Sequence, residues 1–96
     1  MAFSSSINVN KHFSPGNLQL IEGTWDADSV TKGEIDLSDY LDTIYMAGVS
    51  TLTGTGVTLW GWNVEDDMST SSDGMLSIGA CTANDTGQFW AIGPLA

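Results

Sequence analysis

The apolar residues of this chain come in short runs, each cut off by a turn signal, and that punctuation limits the fold more than any other feature. Residues 18–25 read Leu-Gln-Leu-Ile-Glu-Gly-Thr-Trp and stop at Asp26, Ala27, Asp28 and Ser29. Residues 30–37 alternate, with Thr31, Ile35 and Leu37 on one face and Lys32, Glu34 and Asp36 on the other. A turn at residues 53–56 precedes Val-Thr-Leu-Trp-Gly-Trp-Asn-Val at 57–64, whose aromatic and β-branched residues on both faces predict a central strand. Residues 65–74 read as a polar loop with an acidic start and 75–81 as a further strand. A turn at 84–87 leads into the last strand, 88–92, which Pro94 ends.

Two segments admit two readings. In residues 1–16, Ile7 and Val9 alternate against polar neighbours before Pro15 and Gly16 close the segment, which fits an N-terminal arm or an edge strand. Between residues 37 and 48, Leu37, Tyr40, Leu41, Ile44 and Tyr45 recur at helical spacing, so one short helical turn is expected near residues 38–46. The β-branched and aromatic content of Thr43, Ile44, Tyr45 and Val49 favours a turn at 38–41 followed by a strand over about 42–51. Many short strands without a long helix predict an all-β chain, a compact, jelly-roll-like β-sandwich over residues 17–96.

At 96 residues the chain has room for one domain. A chain this short buries only about two-thirds of its unfolded surface, so self-association is expected to add stability. Two basic residues, Lys11 and Lys32, face twelve carboxylates, for a formal charge of −10. Binding nucleic acid requires cations that release counterions from phosphate, so that class of partner is excluded. The same deficit argues against anionic lipid, and no apolar run approaches the roughly 20 residues that span a bilayer. A soluble protein is expected. Cys81 is the only cysteine, which leaves no intramolecular disulfide and no thiolate metal cage. The N-terminal residues lack the basic and apolar regions of a secretory signal, so synthesis and retention in a cytoplasm, or release by lysis, is expected.

Each residue with catalytic chemistry has a plainer reading beside it. His12, the single histidine, sits between Lys11 and Phe13 with no nucleophile motif nearby and reads as a surface or arm residue. Glu22, Asp26 and Glu34 are candidates for a glycosidase carboxylate pair, against the simpler reading of solvated faces in a domain too small for a sugar cleft. Asp26 with Asp28, and Glu65 with Asp66 and Asp67, offer oxygen ligands to calcium but lack the spacing of an EF-hand, so ordinary acidic loops are preferred and no cofactor is expected. The turn Gly54, Thr55, Gly56 has no following lysine to hold a phosphate. Asn84, Asp85 and Thr86 match a glycosylation acceptor only in form. The tryptophans Trp25, Trp60, Trp62 and Trp90 fit a ligand platform or a core, and core or subunit-interface packing is preferred.

Gly-Asn-Leu-Gln-Leu-Ile-Glu-Gly-Thr-Trp at 16–25, Lys-Gly-Glu-Ile-Asp-Leu at 32–37 and Tyr-Leu-Asp-Thr-Ile at 40–44 together resemble small virion proteins of tailed bacteriophages. Those proteins carry a first strand ending in Gly-Thr, a glycine-containing hairpin and a Leu-x-x-Ile step into the next strand; here the hairpin turn reads Val-Thr-Lys-Gly at 30–33. The resemblance implies a capsid decoration, or cement, protein: a non-enzymatic β-sandwich, often trimeric, on the outer capsid surface of the virion against the major capsid protein. Local chemistry, rather than the resemblance, suggests Phe3, Ile7, Val9, Phe13, Trp25 and Trp90 as oligomer or capsid contacts. Two other classes compete: an acidic mimic that occupies the site of a host nucleic-acid enzyme, and a carbohydrate-binding tail module.

Overall fold

The computed structural model describes residues 3–13, 18–27, 30–54, 56–64, 71–79 and 85–96. They form seven strands: β1 (Ser4–Phe13), β2 (Leu18–Asp26), β3 (Lys32–Asp36), β4 (Met46–Thr53), β5 (Thr58–Val64), β6 (Ser71–Gly79) and β7 (Thr86–Pro94). Every pairing is antiparallel, in a four-stranded sheet of order β1-β2-β7-β4 and a three-stranded sheet of order β3-β6-β5. The fold is therefore an all-β sandwich, as the sequence predicts. From β2 to β5 the chain changes sheet at each step. β6 then pairs beside β5 and β7 returns between β2 and β4, which is the wrapped order of a jelly roll.

Alternation sets the layers. In β2, Gln19, Ile21, Gly23 and Trp25 point inward; in β3, Gly33 and Ile35 do so, with Leu37 just beyond the strand. β7 contributes Gly87, Phe89, Ala91 and Gly93. With Leu41, Ile44, Leu76 and Ile78 these form one core between the sheets, in which each fully buried Leu or Ile contributes about 1.5–3 kcal/mol. Gln19 is a polar residue on the inner face of β2, and its Nε2 donates to the Tyr40 carbonyl at 3.1 Å.

Two contacts close the sides of the sandwich. Phe3, just before β1, stacks on Trp25 with ring centroids 6.1 Å apart and planes 10° from parallel, and its ring occupies the space a Cβ on Gly33 of the other sheet would need. On the opposite side Asn63, at φ 61°, bridges from β5 to the segment entering β4. Its Oδ1 accepts from the Ile44 N–H at 2.9 Å and the Gly74 N–H at 3.1 Å, while its Nδ2 donates to the Ile44 carbonyl at 2.9 Å.

Four local expectations need correction. The strand at 57–64 is not central: β5 is an edge, its inner face supplied by Leu59 with Val57 just before it, while Trp62 remains 38% exposed. The central strand of that sheet is β6, buried on both faces over residues 76–79, where small Ser77 and Gly79 fit between Leu76 and Ile78. β6 also begins at Ser71, inside the expected polar loop, because β-ladder pairing from Val64 to Ser71 recruits residues without apolar signal. The single turn expected at 38–41 is present, closed by the Tyr40 and Leu41 N–H groups on the Leu37 carbonyl, both at 2.9 Å, but the strand expected from about 42 starts only at Met46. Finally, β2 and β3 lie in different sheets, so no hairpin joins them. Of the two readings of residues 1–16, residues 4–13 form an edge strand paired with β2 of the same chain.

Candidate binding face

With the odd-numbered residues of β2 turned inward, Leu18, Leu20, Glu22, Thr24 and Asp26 must face outward, and strand register arranges them in rows with β7 and β4. One row is Leu20, Ile92 and Met46; the next is Glu22, Trp90 and Gly48; the third is Thr24, Gln88 and Ser50. Across these three strands the outer face is thus apolar at one end and polar at the other. Met46 is 56% exposed and Trp90 36%. A soluble sheet with one wet face ordinarily presents polar residues there, so placing Leu20 outward and Gln19 inward reverses the usual pattern.

Trp90 owes its position to Gly48. A Cβ on Gly48 would meet the indole, with ring atoms Cε2 and Cζ2 at 2.7 and 2.9 Å, so only glycine lets the ring settle across the neighbouring strand. Beside it lies a groove of about 430 Å³ lined by Glu22, Gly23, Thr24, Val49, Ser50, Gln88, Phe89 and Trp90. A second, more open depression shares Thr24 with the first and continues past Ser4, Ser5, Ser6, Asp26, Leu52 and Thr86. Both combine hydroxyl, amide or carboxylate side chains with apolar ones, and among the described residues no lysine, arginine or histidine borders either.

The sequence-derived candidates scatter over this architecture. Trp25 is 2% exposed, and its Nε1 donates to the Gln88 carbonyl at 3.2 Å, so within one chain it is a core residue beneath the face. Phe3 and Ile7 are partly buried against the same core. Val9 and Phe13 pair through their backbones with Glu22 and Leu18, and His12 with Gln19. Of the suggested contacts whose side chains are described, Phe3, Ile7, Trp25 and Trp90, it is Trp90 that stands on the groove. Glu22 and Glu34 lie on the outer faces of different sheets, on opposite sides of the core, so they do not flank a common substrate. Glu22 and Asp26 share a face, but four residues of strand set their Cα atoms about 13 Å apart. Of the calcium candidates, Asp28 and residues 65–67 lie outside the described residues; among those described, no group of three His, Cys, Asp or Glu side chains is placed to hold a metal ion. Cys81 and Asn84 are likewise outside the described residues.

Sequence reasoning missed Gly48, Thr24, Ser50 and Gln88. Their signal is the register that aligns β2 and β4 with β7, which pairs residues far apart in the chain and leaves no mark in local periodicity. Comparisons of the chain with protein-family models, curated proteins and solved structures give no match.

Proposed function

We propose that the chain is a non-enzymatic structural protein of a virion, a decoration or cement protein that associates with its own copies as a trimer and lies on the outside of a phage head against the major capsid protein. The observation that supports this reading is the outward apolar row of Leu20, Ile92 and Met46, which runs across three strands of one sheet. An apolar row at that place is covered most simply by a second copy, since every copy carries it and burial of such surface drives association. A repeating lattice then multiplies modest contacts into high occupancy, with no need of a deep pocket. The acidic-mimic reading has less support, because the outward carboxylates are divided between the faces, Glu22 and Asp26 on one sheet and Glu34 and Asp36 on the other.

Light scattering of the purified protein, with and without a chelator, tests self-association, and co-sedimentation with assembled heads tests the partner. A stable trimer that sediments with heads is the expected result. A monomer at every concentration that stays in the supernatant while heads pellet rejects the proposal.

A further inference from the structure

We infer that the polar half of the same outer face is a binding site for an uncharged oligosaccharide. Trp90 serves as the stacking platform, and Glu22, Thr24, Ser50 and Gln88 as hydrogen-bonding partners. This inference stands apart from self-association, which rests on the neighbouring row of Leu20, Ile92 and Met46.

The argument begins with the ring. One side of the Trp90 indole is seated over Gly48, yet the residue keeps 36% of its surface exposed beside the groove. A lone exposed tryptophan fixed in this way presents a flat apolar surface that a sugar ring can cover with its C–H face. The groups around it supply the other half of sugar recognition. Glu22 is the cross-strand partner of Trp90, and Thr24, Gln88 and Ser50 form the adjacent row. Hydroxyls and a side-chain amide both donate and accept, which matches a polyol, and a carboxylate accepts from paired hydroxyls. The groove's volume of about 430 Å³ falls in the range of about 300–1,000 Å³ found for small-ligand sites.

Charge and shape narrow the ligand. Among the described residues no cationic side chain borders the groove, and the chain carries −10 overall, which disfavours phosphorylated, sulfated or uronic-acid ligands. A cationic ligand would be drawn by the same charge, but cages for such groups surround the cation with several rings, and among the described residues Trp90 is the one exposed ring here, Phe89 being buried. The second depression, joined to the first at Thr24, extends the track along the sheet past Ser4, Ser6 and Thr86. Two joined depressions suit a chain of sugars better than a single residue.

The test is a glycan array of neutral plant, bacterial and animal oligosaccharides, followed by calorimetry and tryptophan fluorescence on the best binders. Tetragalacturonate and choline serve as anionic and cationic comparisons. Neutral oligosaccharides should bind and perturb the fluorescence. Trp90→Ala should weaken binding roughly tenfold or more, the scale of one lost aromatic contact, while Trp90→Phe keeps most of it. Gln88→Ala should weaken it several-fold, and Trp62→Ala, on the other sheet, should leave it unchanged. Near-UV circular dichroism and thermal melts confirm that each variant is folded. The inference is overturned if no neutral glycan binds, if folded Trp90→Ala binds as well as the parent, or if tetragalacturonate or choline binds as tightly as the best neutral sugar. A monomeric protein that still binds sugar would reject the self-association proposal alone.

Discussion

Asn63 holds a left-handed backbone conformation that asparagine tolerates better than most residues, and it spends both ends of its amide on main chain. Replacing it with alanine removes three hydrogen bonds, strands the Ile44 backbone and leaves a Cβ residue at positive φ. Asn63→Ala is expected to cost about 3 kcal/mol in urea denaturation, with Asn63→Gly losing less because its backbone is unstrained. A loss below about 1 kcal/mol for alanine would mean that this side of the sandwich closes without the amide. Asp36 works at the surface. Its Oδ1 accepts from the Ser38 hydroxyl at 2.6 Å and the Ser38 N–H at 2.9 Å, holding the turn that follows β3. The hydroxyl bond, then the backbone bond, lower its pKa from the ordinary 3.8. A carboxylate whose folded pKa is depressed adds stability that is complete above its unfolded value and fades as the pH falls through the folded one. Asp36→Asn should therefore be less stable than the parent at neutral pH, and the gap should close in acid below 3.8. Melts across that range check it, and a gap independent of pH would remove the charge from the explanation.

At the scale of strands, large rings sit against glycines. Phe89 lies over Gly23, Trp25 over Gly87 and Trp90 over Gly48, each a cross-strand pair in register, and each glycine makes room that a Cβ would fill. Such pairs lock register, because a slip of one residue would set the ring against a side chain. Phe3 extends the scheme between sheets through Trp25 and Gly33. Phe3→Ala is expected to destabilise by about 2 kcal/mol and to speed hydrogen exchange in β1 more than in β7; equal exchange in the two strands would show that Phe3 does not anchor the edge. This level was partly legible in the sequence. Residues 30–37 declare their strand because polar and apolar side chains alternate against a core, and residues 18–25 declare theirs as a short apolar run cut off by a turn signal. Residues 57–64 misled for a physical reason: aromatic and β-branched residues signal a strand equally whether it lies in the middle of a sheet or, like β5, at its edge. The polar start of β6 at Ser71 carries no apolar signal, and the groove beside Trp90 depends on pairings between residues far apart in the chain.

For the whole molecule the governing tension is between an apolar row and a charge of −10 with two lysines. Under the proposed self-association, copies meeting through Leu20, Ile92 and Met46 would do so against mutual repulsion, which salt screens. The mass measured by light scattering should therefore rise or hold with ionic strength. Met46→Glu, at an exposed position, should yield a monomer whose folding stability stays within about 0.5 kcal/mol of the parent. An assembly that dissolves in high salt would point to charge pairs instead. The place of β7 in the middle of the four-stranded sheet has a further consequence, for the birth of the protein. β2 and β4 do not touch as neighbours; both wait for β7, and on that side Leu18 finds its partner at Pro94. While the ribosome is still making residues before 86, the inner faces of β2 and β4 have no strand to hold them in one sheet. Folding must then proceed late and through long loops, at the slow rates of non-local β topologies, and the growing chain passes through a period in which its stickiest surfaces are uncovered.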